Sequence, residues 1–236
     1  MSRLVLVRHG KANAFSRDDY DRLSEPGYEQ SRLLGAYFGE RGVTFDRVFV
    51  GPRLRQRQTH ETVVAALGPT RWPGPTPLDA LDEHDGIRLV FSVLPALAKE
   101  DPTLAPIADG LARGELPSPK ELLVAFRAIT RRWARGEVDH DGVETWREFR
   151  RRVEGGLTTM TADLPRAQSV VAFTSAGAVA AAVGLALALD DSRVLDLSWS
   201  LHNGSITELG LSEGRWGLVS FNGTPHLRDP RLVTSV

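Results

Sequence analysis

The chain has 236 residues, of which 42% are hydrophobic and 25% charged. These are ordinary proportions for a globular protein, and the length suffices for one domain with a full core. A net charge of -1 gives no electrostatic reason to expect nucleic acid or an anionic membrane as partner, and the absence of cysteine excludes disulfides, thiolate metal sites and cysteine nucleophiles. Any affinity for anions must therefore be local.

The amino terminus lacks the basic region, apolar run and cleavage site of a signal peptide, so a cytoplasmic protein is expected. The most apolar later run, Ala176 to Leu189, is too short to span a bilayer and reads as a buried, alanine-rich helix.

In chain order, Leu4 to Val7 predicts a short strand buried on both faces, running into Arg8, His9 and Gly10. Those three residues have no packing purpose. Arg8 offers a planar fork of donors suited to phosphate, His9 a nitrogen nucleophile neutral near pH 7, and Gly10 a sharp turn. In open α/β sheets ligands collect at the carboxyl ends of strands, where these residues would sit.

A polar loop follows. Ser24 then reads as an N-cap with Glu25 and Pro26 in the first turn, opening a helix over about 25 to 41. Phe45 to Val50 predicts a second strand. The basic stretch Arg53, Arg55 and Arg57 leads into another helix, on which alternating residues cannot all face one way. Cations there oppose the helix dipole, which an anion bound at the N-terminus would explain for one of them.

A proline-rich loop, Pro69 to Pro77, precedes the ionisable run Asp82, Glu83, His84 and Asp85. That run can supply a catalytic acid, or contribute to a metal site if ligands come from elsewhere in the chain. Ile87 to Arg135 is helical in pattern, broken by proline and glycine, and reads as an insertion at about 87 to 140 above the strand ends. Residues 145 to 163 predict a helix with Trp146, Phe149, Val153, Leu157 and Met160 on its core stripe. Strands are expected over 169 to 173, 195 to 199, 205 to 211 and 216 to 221, the last two joined as a hairpin. The whole predicts a single α/β domain, a three-layer α/β/α sandwich with a mostly parallel mixed sheet.

Several of these stretches together resemble the histidine phosphatase superfamily, also called phosphoglycerate mutase-like. Its opening Arg-His-Gly is matched by Arg8, His9 and Gly10, and its Leu-Thr, Gly, Gln pattern by Leu23, Ser24, Gly27 and Gln30. Its Ser-x-Leu-x-Arg-x-x-Gln-Thr is matched by Arg55, Gln58 and Thr59, with Gly51 standing for the serine and Arg53 for the leucine. Leu81, Glu83 and Gly86 match a further motif. So do Glu144, Thr145 and Arg152, and, near the end, Asn203, Ser205 and Thr207. The matches run in family order.

The resemblance implies a metal-independent phosphomonoester hydrolase with no cofactor, acting on a small-molecule phosphoester, with inorganic phosphate as a ligand. His9 would attack phosphorus and become a phosphohistidine, Arg8 and Arg55 would hold the phosphoryl oxygens, and Glu83 would protonate the leaving alkoxide and then help activate water. One departure matters. Where the family has its second histidine, in a Ser/Thr-His-Gly-Gly pattern, this chain has Thr174, Ser175, Ala176 and Gly177. Ser175 can donate one hydrogen bond to phosphate but is uncharged, and losing one preorganised donor costs about 3 to 4 kcal/mol, or roughly 10² to 10³ in rate. His84 or His202 would be the auxiliary candidate for the gap.

The mutase branch continues with a Trp-Asn pair. Here Lys11-Ala12-Asn13-Ala14-Phe15 lacks it, which favours phosphatase over phosphoglycerate mutase-type phosphotransfer. A phospholigand-binding protein without turnover is the reading from another class, and a metal-dependent hydrolase built on Asp82 to Asp85 a third.

Overall fold

In the computed structural model, residues 2–13, 19–163 and 167–235 are described. The chain divides into two compact units, Met1–Glu83 with Arg152–Val236, and His84–Arg151.

The first unit is built on a six-stranded sheet. Its elements are β1 (Ser2–Arg8), α1 (Glu25–Glu40), β2 (Arg47–Val50), α2 (Leu54–Ala65), β3 (Thr76–Pro77), β4 (Ser169–Thr174), α7 (Ala176–Leu187), α8 (Asp191–Ser200), β5 (Ile206–Ser212) and β6 (Arg215–Gly223). The strand order is β3-β2-β4-β1-β5-β6. Strands β1, β4, β2 and β3 are parallel neighbours, and β5 and β6 are added antiparallel. The mixed α/β sheet expected from the strand and helix pattern is thus present.

Alternation in the strands sorts the core. Val5, Val7, Val48, Val50, Val171 and Phe173 pack with Leu34 and Phe38 of α1 and Val63 of α2. Leu4, Leu6, Val170 and Ala172, which point the other way, are also buried. On α7, Ala176 through Gly184 are all buried, and the small side chains let this helix lie close to β1, β5 and β6.

Two close approaches fix the loop after β1. A Cβ on Gly27 would lie 2.1 Å from the Lys11 carbonyl oxygen, and one on Gly10 would lie 2.4 Å from that of Gly27. The chain leaving β1 therefore runs against the first turn of α1, where Ser24 Oγ donates to Lys11 O (2.9 Å) and accepts from Gly27 N (3.4 Å).

Two expectations are corrected. Residues 195 to 199, read as a strand, lie in α8. The alternation of Leu195, Leu197 and Trp199 mimics a period of two, but only Val194 and Leu195 of the helix are buried. Asp190 caps it by accepting from Arg193 N at 2.9 Å. The proline-rich loop also contains β3, paired with β2 through Thr76 and Pro77. Its place at the sheet edge is where a residue without an N–H is tolerated.

The second unit is helical. It holds α3 (Gly86–Leu97), α4 (Ala105–Ala112), α5 (Pro119–Ala134) and the start of α6 (Trp146–Thr161). The segment expected as an insertion at about 87 to 140 falls within it. Leu89, Val93, Leu94, Ile107, Ile129 and Trp133 are buried. The predicted α6 stripe, from Trp146 to Met160, is buried at all five positions. Among the described residues, no helix is long and apolar enough to cross a membrane.

Candidate active site

The site forms where three adjacent parallel strands end. Arg8 is paired with Thr174 across β1 and β4, and the His9 N–H continues the ladder to Thr174 O at 2.9 Å. His9 and Ser175 therefore follow side by side beyond the two strands. Gly51 N in turn donates to Phe173 O at 3.0 Å, placing the end of β2 on the other side of β4.

Arg8 and His9 are both buried. Arg8 donates through one terminal nitrogen to Leu201 O, while its Nε, also buried, has no partner among the described residues. Burial lowers the Arg8 pKa to about 10; the Glu83 carboxylate works in the opposite direction, and Arg55 adds to the lowering. The group is still cationic at neutral pH.

His9 is held in one tautomer. Arg55 Nε lies 3.0 Å from His9 Nε2, and since a guanidinium can only donate, Nε2 accepts. The proton is then on Nδ1, which donates to Gly10 O at 2.7 Å. Burial, followed by the charges of Arg55 and Arg8, keeps the imidazole well below its ordinary pKa. A neutral ring with its Nε2 lone pair facing a guanidinium is competent as a nucleophile toward a group that guanidinium would bind.

The Arg55, Gln58 and Thr59 motif is one face of α2, at i, i+3 and i+4. Besides the Arg55 contact, Gln58 Oε1 accepts from Leu23 N (2.9 Å) and Thr59 Oγ1 from Gly10 N (3.0 Å). The face thus clamps the loop after β1. Arg53 and Arg57 point elsewhere, as the alternation requires: Arg53 Nε donates to Asp82 Oδ1 at 2.5 Å and Arg57 donates to Pro52 O.

Glu83 is brought to the same end of the sheet. Its Oε2 accepts from Gly177 N at 3.1 Å, in the first turn of α7, where the helix dipole favours an anion. The segment carrying it is tied down from several sides. Leu81 O accepts from Thr174 Oγ1 (2.6 Å) and Gln56 Nε2 (3.0 Å), and Asp82 Oδ1 accepts from Glu83 N (2.7 Å). Arg152 donates to the carbonyls of Asp79, Ala80 and Asp82 at 3.1 to 3.3 Å.

Ser175 is fully buried, and its Oγ accepts from Gln56 Nε2 at 2.8 Å. The structure thus brings Arg8, His9, Arg55, Glu83 and Ser175 to one end of the sheet. His84, the auxiliary candidate, lies in the other unit, with ring centroids of Trp133, Phe149 and Phe126 at 5.1, 5.5 and 6.2 Å. His202 follows α8 and has its backbone N–H donated to Asn222 Oδ1. Asp85 caps α3 by accepting from Arg88 N. Among the described residues, no three His, Asp or Glu side chains are grouped as a metal ion would need.

The late Asn203, Ser205 and Thr207 motif flanks β1. Gly204 N donates to the carbonyls of both Arg8 and His9 at 3.1 Å, and Arg8 N donates to Ser205 O at 3.1 Å. Sequence reasoning missed Asp21, which accepts from Leu54 N (2.8 Å) and from Arg55 (2.6 Å), and it missed Gln56. Asp21 sits in a polar loop with no period to mark it; Gln56 is a polar residue facing inward among charged neighbours.

The profile of the histidine phosphatase superfamily (branch 1) matches residues 4–88 and 99–224, and the chain belongs to that superfamily. Among solved structures it is similar to Bacillus stearothermophilus YhfR, with a TM-score of 0.68 at 14% identity over 96% of this chain and 99% of that one. It is similar to phosphoserine phosphatase from Entamoeba histolytica, solved with 3-phosphoglyceric acid (TM-score 0.63, 17% identity, covering 96% and 99%). It is likewise similar to phosphoglycerate mutase from Bacillus anthracis str. Sterne (TM-score 0.61, 16% identity, covering 95% and 94%). At these identities the likeness is one of fold. No curated protein matches the chain.

Proposed function

We propose that the protein is a metal-independent phosphomonoester hydrolase working through a phosphohistidine on His9. The observation that carries this reading is the fixed tautomer of His9, with its Nδ1 proton tied to Gly10 O and its Nε2 lone pair facing Arg55.

In the first half-reaction the Nε2 lone pair attacks phosphorus, the bond to the ester oxygen breaks, and the leaving alkoxide takes a proton from Glu83. A bound phosphate dianion beside Glu83 favours the protonated carboxyl this needs. In the second, water attacks the phosphohistidine, gives its proton to Glu83, and inorganic phosphate leaves His9 neutral again. The charge spreading over the phosphoryl oxygens is met by Arg55 and by the Nε of Arg8, which has no partner among the described residues, with the Ser175 hydroxyl as a further donor. Glu83 starts on Gly177 N and gives up that amide when it turns to the leaving group.

The ligand class is a small-molecule phosphoester, in keeping with relatives solved with phosphoserine and 3-phosphoglyceric acid. We read the protein as cytoplasmic. Phosphatase is favoured over mutase-type transfer by the missing Trp-Asn pair, although Ala14 and Phe15 lie outside the described residues. The second reading, a phospholigand-binding protein without turnover, is motivated by Ser175. Hydrolysis of an activated aryl phosphate in chelator separates them. Turnover abolished by His9→Ala supports the hydrolase; phosphate binding with no turnover supports the binder.

A further inference from the structure

Three departures from the family pattern, at positions 51, 53 and 175, touch one side chain. Gln56 is fully buried and lies in an open position of the arginine, glutamine, threonine motif. Its Oε1 accepts from Arg53 N at 3.0 Å, and its Nε2 donates to Leu81 O (3.0 Å) and Ser175 Oγ (2.8 Å). A Cβ on Gly51 would lie 2.2 Å from Gln56 Oε1, so the residue in the family's serine position has to be glycine for this amide to fit.

The polarity of these bonds admits one arrangement. An amide N–H only donates and a carbonyl only accepts, so Arg53 and Leu81 between them fix which end of Gln56 is oxygen. The second N–H of Gln56 then points at Ser175 Oγ, which must accept. The Ser175 hydroxyl proton cannot return to Gln56, and it has no acceptor among the described residues.

We propose that Gln56 is a positioning residue for the phosphoryl site. By filling the acceptor side of Ser175, it presents the hydroxyl proton as a hydrogen-bond donor to a phosphoryl oxygen beside His9. Gly51, Gln56 and Ser175 together take the place of the family's second histidine. No charge is supplied, only an oriented donor. The inference rests on the reading of the site as one that binds a phosphoryl group.

The test is a double-mutant cycle between Gln56 and Ser175, using Gln56→Met, which keeps the volume, and Ser175→Ala. It is read by kcat/KM on an aryl phosphate and by calorimetric affinity for inorganic phosphate. Each single change is expected to lower both readouts roughly tenfold, and Gln56→Met to cost less than about twofold once Ser175 is alanine. A residue that only caps α2 and ties down Leu81 would cost the same in both backgrounds, and that additivity would overturn the proposal. Gly51→Ala, which displaces the amide without removing it, is expected to reproduce the Gln56→Met loss; full activity in that variant counts against the inference.

His9→Ala keeps the two readings apart. If it leaves turnover intact, the phosphohistidine mechanism fails while the cycle stays readable. If the wild type does not turn over, the cycle is read by phosphate affinity alone, and a wild type that binds no phosphate overturns the positioning role with it.

Discussion

The Asp21 carboxylate holds Arg55 from behind: one oxygen accepts from the arginine side chain at 2.6 Å while the other accepts from Leu54 N at 2.8 Å. The same guanidinium reaches His9 Nε2 through its Nε. An acid in the loop before α1 thus sets the direction of the cation that faces His9, and it also supplies the anion that the first turn of α2 lacks in its own sequence.

Replacing Asp21 by asparagine preserves the acceptor for Leu54 and weakens the hold on Arg55. We expect kcat/KM on an aryl phosphate to fall about tenfold with little change in Tm. Asp21→Ala, which also removes the helix acceptor, is expected to cost about 1 kcal/mol of stability in addition. Steady-state kinetics and thermal melts of the two variants check the separation.

Arg55→Lys keeps the charge but loses the planar fork that engages His9 and Asp21 together. The expected outcome is a drop of roughly 10² in kcat, larger than any change in KM, because the contact matters most when charge develops on the phosphoryl oxygens. Equal turnover by the lysine variant would show that a point charge suffices.

Stability should depend on pH through His226, whose ring nitrogens are both buried with no partner among the described residues and whose pKa burial lowers to about 4. The folded state resists a proton that the unfolded chain accepts near the ordinary value of about 6.5. The contribution is therefore complete above that value and is lost as pH falls toward 4, amounting to about 3 kcal/mol. Denaturant titrations at pH 7.5 and pH 4.5 should show a smaller loss for His226→Phe than for the wild type. His60, also lowered by burial, adds to the wild-type slope in the same direction and stays in both proteins.

Arg152 holds three carbonyls of the segment leading to Glu83. In Arg152→Met the aliphatic stem remains and the anchors go. Glu83, the general acid we propose, is then less well placed, and we expect kcat to fall most for esters with poor leaving groups, which need the proton. A Brønsted series of aryl phosphates measures this: the slope should steepen in the variant.

The strands were legible where apolar runs are short and end on chemistry. Leu4 to Val7 stops at Arg8 and His9 because the chain leaves the sheet there, and the same holds for Val50 before Gly51 and Thr174 before Ser175. The resemblance singled out Arg55, Gln58 and Thr59, whose i, i+3, i+4 spacing the structure turns into one helix face. By contrast, α8 was hidden by an alternation that imitates a strand, because its burial comes from packing on α7 and not from a broad apolar stripe. Strand β3 was hidden by proline, which an edge position tolerates. Asp21 and Gln56 carried no signal, since their importance lies in partners more than thirty and more than a hundred positions away in the chain. Such contacts are set by topology, which no local pattern encodes.

The strand that leads into His9, β1, is the first among the described residues, yet both of its neighbours come late. Arg3 pairs with Ser169 on one side and with Gly210 on the other. During synthesis this strand has to wait, unpaired and apolar, until most of the polypeptide has followed it, and its closure is a long-range event of the kind that slows folding. The neighbours of His9, Thr174 and Gly204 among them, arrive with those partners. The surroundings of His9 are therefore complete only when the sheet is, and the chemistry proposed for it is expected to be absent from a nascent or truncated chain that stops short of β4.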